Sequence, residues 1–417
     1  MRQKPFRLSL ALVAALLLAL PAASSAQEQV TLHYFTWATG SGSVQIQEDW
    51  IEPFQEKFPH IKIEHEAVGF AEFWEKLPVY IATGNAPDII HMSVGYVYDY
   101  AKMGLLENLQ PYFDRDLNPD DFFMQPFDAM RYPSMVDGDL YGIPYSFILT
   151  SLYYNVDMFN NAGVAFPDES WTWETAREIS RRFVRDTTGD GVVDKWGYVI
   201  DNGDYFFPSM VHAWGGSILN EDYTQVTLNS PEAIEALTFF VEWAHQDGSA
   251  LVGSNGDFTR QNAAMALMTT MELPYMREMG VNSDVQIVPS GPAKRVVRLW
   301  PDSFAIPAEA KHKAEAWEFI KYVITRDEMD RYSGERKIPV YKSLATSPEW
   351  LQADLMGNKM VFIQSIMYGE PLEWRPNWGA WGQLLRRGIA PALLGEMSPT
   401  EAIIRTAEAI QVEVDRE

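Results

Sequence analysis

Val30-Thr31-Leu32-His33-Tyr34-Phe35, then the turn-rich Thr36-Trp37-Ala38-Thr39-Gly40-Ser41-Gly42, an amphipathic run from Gln45 to Lys57, and Ile61-Lys62-Ile63-Glu64-His65-Glu66 together decide the fold class. The first and last segments alternate apolar and polar residues and are rich in β-branched and aromatic side chains, which predicts strands. The run between them predicts a helix stopped near Pro59. The pattern then repeats. Phe73, Leu77 and Ile81 share one face of a second helix, and Asp88-Ile89-Ile90-His91-Met92 predicts a third strand. Such alternation predicts an α/β fold with mostly parallel pairing. Further on, Thr172 and Ser230-Pro231 are helix start signals. Thr325-Arg326-Asp327-Glu328 and Ser398-Pro399-Thr400-Glu401 fit the capping box, in which a hydroxyl and a carboxylate satisfy first-turn amides. Ile234, Leu237, Val241 and Ala244 predict one apolar stripe of a core helix.

The whole chain has 417 residues, 47% hydrophobic and 22% charged, which is globular composition and excludes disorder or coiled coil as the main state. The length predicts two to three domains by itself. With no Cys, disulfides, thiolate metal sites and a cysteine nucleophile are excluded. A net charge of −24 argues against nucleic acid or an anionic membrane as partner, since both need a cationic face. The 14 Trp, 19 Tyr and 22 Phe fit either large cores or a ligand with flat apolar faces. Residues 1–26 read as a secretory signal peptide: Arg2, Lys4 and Arg7 precede an apolar run from Leu8 to Leu20, and Ser24-Ser25-Ala26 offers a small-residue cleavage point. No Cys follows it, so no lipid anchor is expected, and the expected location is periplasmic.

Four segments carry a resemblance. Gly84-Asn85-Ala86-Pro87-Asp88-Ile89-Ile90 is the first. The second is Asp137-Gly138-Asp139-Leu140-Tyr141-Gly142-Ile143-Pro144-Tyr145, followed by Leu152-Tyr153-Tyr154-Asn155-Val156-Asp157, Ala162-Gly163 and Trp171-Thr172-Trp173-Glu174. The third is Trp214-Gly215-Gly216 with Asn262-Ala263-Ala264-Met265. The fourth is Ala314-Glu315-Ala316-Trp317-Glu318-Phe319 with Ile338-Pro339-Val340. In this order they resemble the sugar-binding proteins of bacterial ABC importers, the maltose-binding-like family. The resemblance implies a two-lobe periplasmic-binding-protein-like clamp, each lobe a mostly parallel sheet flanked by helices. It implies one lobe from 27–146 plus 290–332 and another from 147–289 plus 333–417. The first crossing is expected near Tyr145-Leu149 and the last near Arg331-Ile338. The implied function is capture of a carbohydrate, a di- or oligosaccharide, in the interlobe cleft, followed by hinge closure and delivery to a membrane permease. No catalysis, no cofactor and a monomer are expected.

A sugar offers hydroxyls and an apolar face of C–H groups, so aromatic rings and carboxylates or amides suit it. The resemblance places the candidates at loop ends. Trp37 follows the first strand, with capping or core packing as the alternative. His91, Met92 and Tyr96 follow the third, although relatives often carry an aromatic where Met92 stands. Glu72 and Asp88 are nearby acids, and Asp88 equally suits a turn cap. Tyr145 lies at the crossing. Tyr205 and Trp214 are expected to line the second lobe's wall, with Met271 and Glu272 where relatives often have a Trp. Trp300 and Asp302, in Trp300-Pro301-Asp302, replace a commonly Gly-rich turn. Arg336 is a candidate hydroxyl donor or a surface ion-pair partner. Trp378 and Trp381, three apart, share a face if helical, and Trp381 best matches a stacking Trp of relatives. Core packing is the alternative for both.

Asp186, Asp190 and Asp194 place oxygens as at the start of a Ca²⁺ loop, but position 12 is Gly197, where an EF-hand needs a bidentate Glu. The seven His are scattered, and no nucleophile elbow, P-loop or dinucleotide fingerprint occurs. Two rivals to the sugar-transport reading stay open. A secreted glycoside hydrolase needs two carboxylates facing across a scissile bond. A binder of glycerol phosphate or a polyol needs, for the phosphate, clustered cations such as Lys294, Arg295 and Arg298.

Overall fold

β1 (Val30–Trp37) pairs in parallel with β2 (Ile61–Val68) along its whole length, Val30 opposite Ile61 and Trp37 opposite Val68. β3 (Ile89–Ser93) lies on its other side, also parallel. The computed structural model describes residues 29–38, 41–203, 206–325, 337–352, 358–370 and 378–416. Its remaining strands are β4 (Arg131–Tyr132), β5 (Asp139–Leu140), β6 (Ile143–Asn155), β7 (Trp196–Asp201), β8 (Ala250–Gly253), β9 (Ala263–Thr269), β10 (Ser283–Gln286), β11 (Val297–Ala305), β12 (Ile338–Pro339) and β13 (Gly369–Glu370). The main sheet runs β2-β1-β3-β11-β6-β9-β7-β8. β7 is parallel to both β8 and β9. Each flank is therefore parallel, and the centre, where β11 and β6 run, is antiparallel.

β6 holds the two halves together. Ile143 to Leu149 pair with β11 in the first half, and Thr150 to Tyr154 pair with β9 in the second. One unbroken strand thus changes partners between Leu149 and Thr150. β12 adds to the first half, with Ile338 opposite Phe147 and Pro339 opposite Ser146, and Tyr341 bridges to Phe122. The division of lobes at residue 333 therefore falls short of the last crossing. A two-residue strand is too short to show a period.

Parallel flanks are covered on both faces. Leu32 and Tyr34 of β1 face one buried cluster, and Phe35 faces another, its ring stacked on Phe73 at 4.6 Å between centroids. The helix predicted from Gln45 to Lys57 is instead two, Ser41–Glu48 and Ile51–Lys57. The break lets Trp50 turn inward, edge-on to Tyr145 and Phe304 at 5.7 Å each. The predicted caps form: Thr172, Ser230 and Ser398 accept from the amides of Thr175, Ala233 and Glu401. The start signal at Thr325-Glu328 lies largely outside the described residues. In the helix Pro231–His245 the buried face is Ala233, Ala236, Leu237, Phe240 and Trp243, while Ile234, Val241 and Ala244 are half-buried. The face is rotated from the predicted stripe because the two aromatic rings bury the most area. Trp243 stacks on Tyr198 at 4.6 Å and donates to Ser180 Oγ at 2.8 Å.

Candidate functional site

Burial along the two central strands marks a floor. In β6, Ile148 is the one residue that is not buried; in β11 the open positions are Trp300 and Asp302. Trp300 sits opposite Ile148, and Asp302 opposite Ser146. Directly opposed and alternate residues share a face, so all three open onto the same side, beside the point where β6 changes partners. Arg298, on the same face, is fully buried. Its guanidinium lies over the Trp300 ring at 4.8 Å, and its backbone N–H donates to Thr150 Oγ1 at 2.9 Å. Lys337 Nζ pairs with Asp302 Oδ2 at 2.8 Å.

The walls begin where parallel strands end, the usual place for ligands in open α/β sheets. Trp37 closes β1, half-buried and edge-on to Phe70 at 5.5 Å, Phe73 at 5.0 Å and His91 at 5.1 Å. Behind it, His91 Nε2 meets Tyr34 Oη at 2.9 Å. Burial holds the His91 ring well below the usual imidazole range, with Lys337 and His65 acting in the same direction, so it stands neutral. Tyr96 and Trp74 stack face to face, centroids 3.7 Å apart and planes at 15°. Trp37, Trp74, Tyr96, Trp300 and Trp378 all pack, half-buried, on one buried cluster. This is a single aromatic patch drawn from five places in the chain. Trp74 escaped the sequence reading. Its signal was a large ring three residues before Leu77 and seven before Ile81, at the edge of the predicted stripe. Ile148 carried no such signal.

In the second half, Met271 and Glu272 follow β9. The Met271 N–H donates to Thr269 Oγ1 at 3.2 Å, and Glu272 Oε2 accepts from the Thr269 N–H at 3.0 Å. Burial pushes the Glu272 carboxyl up, against the pull of the Thr269 hydrogen bonds, and the nearby Asp201 adds to the rise. Trp378 opens the helix Trp378–Leu393. Its ring lies over Gly382, where a Cβ would come within 3.0 Å of it, and stands edge-on to Trp381 at 4.6 Å.

Several candidates do other work. Trp381 has no exposed surface, so it is a core residue and not a stacking platform. Met92 and Tyr145 are likewise buried: Met92 lies opposite Ser303, and the Tyr145 ring packs on Phe304 at 4.6 Å behind the floor. Trp214 packs into the second half's core against Phe239 at 5.2 Å and Phe240 at 5.9 Å. Asp88 stands before β3, at the end away from the patch. Its carboxylate is taken by the amides of His33 at 3.0 Å and His312 at 3.1 Å. Glu72 is exposed and pairs with Lys76 at 2.9 Å. Tyr205 and Arg336 lie outside the described residues. In the acidic loop, Asp186 accepts from the amides of Gly189 and Gly191, Asp190 from Val192, and Asp194 from Thr187. These carboxylates shape their own turn. Among the described residues no group of three or more metal-ligating side chains gathers.

The two halves, joined by crossing strands with an aromatic patch at the junction, define a two-lobe solute-binding clamp. The chain belongs to the bacterial extracellular solute-binding protein family, whose pattern matches residues 39–330. It is similar to the maltotriose-binding protein of Pyrococcus abyssi, 23% identical over 353 residues that cover 81% of this chain and 72% of that one. Its fold matches the sugar-binding protein MalE from Xanthomonas citri with a TM-score of 0.81 at 18% identity, covering 93% of this chain and 98% of that one. It also matches UgpB from Mycobacterium tuberculosis, solved with glycerophosphocholine, with a TM-score of 0.76 at 20% identity, covering 92% and 98%. Among the described residues no helix is long and apolar enough to cross a membrane.

Proposed function

We propose that this chain captures a neutral di- or oligosaccharide between its lobes, closes around it and delivers it to the membrane permease of an ABC transporter. The observation that carries this is the floor. Trp300, Ile148 and Asp302 are the open positions of two otherwise buried central strands, and half-buried rings flank them. Indole faces suit the C–H face of a pyranose, and Asp302 and Glu272 suit its hydroxyls. The acidic net charge of −24 supports a neutral ligand over an anion. The maltotriose-binding relative supports the same class. The protein acts by binding and closure, without catalysis, as a monomer. It works in the periplasm after cleavage near Ala26. Its lobes are 27–146 plus 290–332 and 147–289 plus 333–417, the start of the last segment excepted where β12 joins the first.

A second reading, glycerol phosphate or a related phosphodiester, has two supports: the UgpB likeness and the presence of Lys337 at the floor. A thermal-shift panel of mono-, di- and trisaccharides, polyols and glycerol phosphates separates them. The expected outcome is stabilisation by one saccharide class, about 2.7 kcal/mol at one hundred times its dissociation constant, with the saccharide recovered intact. Stabilisation by glycerol phosphate alone overturns the ligand class. Hydrolysis of the saccharide overturns the transport reading.

A further inference from the structure

Tyr223 stands in the second lobe, in the turn closed by the bridge between Leu219 and Val226. Its φ is +59°, a backbone region that bulky side chains avoid. The turn is clamped into that shape. Asn220 Oδ1 accepts the N–H groups of Thr224 and Gln225, each at 2.9 Å. Gln411, from the last helix Pro399–Val414, accepts the Val226 N–H at 2.7 Å and donates to the Thr224 carbonyl at 3.3 Å. Side chains from two places thus hold one tyrosine in an unfavourable backbone state, and such outliers persist only where their surroundings over-determine them.

The clamp aims the ring at the other lobe. The Tyr223 ring lies 6.3 Å from that of Tyr98, at 66°, and Tyr98 belongs to the first-lobe helix Val94–Lys102. Tyr98 meets Tyr132 at 5.1 Å, and Tyr132 meets Tyr141 at 5.8 Å. A row of tyrosines therefore runs from a turn of the second lobe onto the first. The helix Trp378–Leu393, which carries Trp378 of the aromatic patch, packs against the same Val94–Lys102 helix. Both lobes' contributions meet along this edge.

We propose that Tyr223 is a cross-lobe latch. Its edge-to-face contact with Tyr98 favours the closed arrangement and lengthens the residence of the bound ligand. The part concerning ligand rests on the solute-binding reading above; the part concerning closure does not. An aromatic pair of this kind is worth a few-fold to about tenfold in an equilibrium.

The absence of Cys allows a direct test. Val79 and Val412, one on each lobe and both exposed, are changed to Cys and spin-labelled, and the distance distribution is measured without ligand. Tyr223→Gly removes the ring and relieves the backbone at once, so it folds without strain; Tyr98→Ala removes the partner and leaves the turn intact. Both are expected to lengthen or broaden the distribution. With the saccharide found in the panel, both are expected to raise the dissociation rate about 2- to 10-fold and leave the association rate nearly unchanged. An unchanged distribution in both variants overturns the latch, whether or not a sugar binds. A lengthened distribution in a protein that binds no sugar keeps the latch and removes the saccharide reading.

Discussion

Trp300→Ala takes away a half-open ring at the floor, and Trp381→Ala takes away a ring with no exposed surface. The first is expected to weaken saccharide binding by about 1–3 kcal/mol, with a smaller loss of stability than the second. The second is expected to lower unfolding free energy by about 3–5 kcal/mol and leave the dissociation constant of the folded protein unchanged. Titration calorimetry and urea melts read both, and the reverse pattern would exchange the two assignments. The sequence could not make this distinction. A spacing of three says that Trp378 and Trp381 share a face, not which of them inserts. What decides is Gly382, which gives the Trp378 ring room to lie along the helix while Trp381 goes inward. Asp88 is similar: its motif was legible, but a carboxylate that satisfies two distant amides looks the same in sequence as one that waits for a hydroxyl.

At the scale of one strand, β2 carries a device with a pH signature. His65 stacks on Tyr34 at 4.9 Å and meets Thr36 Oγ1 at 2.9 Å. Burial holds its pKa down to about 4, from an ordinary 6.5. The unfolded chain therefore takes up a proton near pH 6.5 that the folded chain refuses until about pH 4. Above pH 6.5 both states are neutral and nothing is lost; between the two values stability falls as pH falls. Calorimetric melting temperatures at pH 7, 6 and 5 are expected to decline, and His65→Gln is expected to flatten the decline. An equal slope in the variant would assign the effect elsewhere, with His91 the next buried imidazole to test. Elements of this size were well marked in the sequence. The strands β1, β2 and β3 form where they were predicted, and the caps at Thr172, Ser230 and Ser398 held, because strand composition and N-terminal hydroxyls are local signals. The break at Trp50 and the rotated face of Pro231–His245 were not marked, because tertiary packing of large rings decided both.

The whole molecule is joined through its sheet. Since β6 supplies a strand to each lobe, unfolding one lobe strips a hydrogen-bonded neighbour from the other. A single calorimetric transition is expected for the ligand-free protein, with calorimetric and van't Hoff enthalpies equal; two separable transitions would mean that the lobes are independent. The clamp itself was legible only through the order of its motifs. The stretch Ile143–Asn155 mixes apolar residues with Ser146, Thr150, Ser151 and Asn155, and such a run gives no hint that one strand serves both lobes. There is a further consequence for how this protein can vary. Successive side chains of a strand face opposite ways. Loss or gain of one residue between Leu149 and Thr150 would turn one lobe's share of the strand inside out relative to the other. Surface loops around the clamp are free to drift in length across descendants, whereas the spacing through this one seam can change only in steps of two.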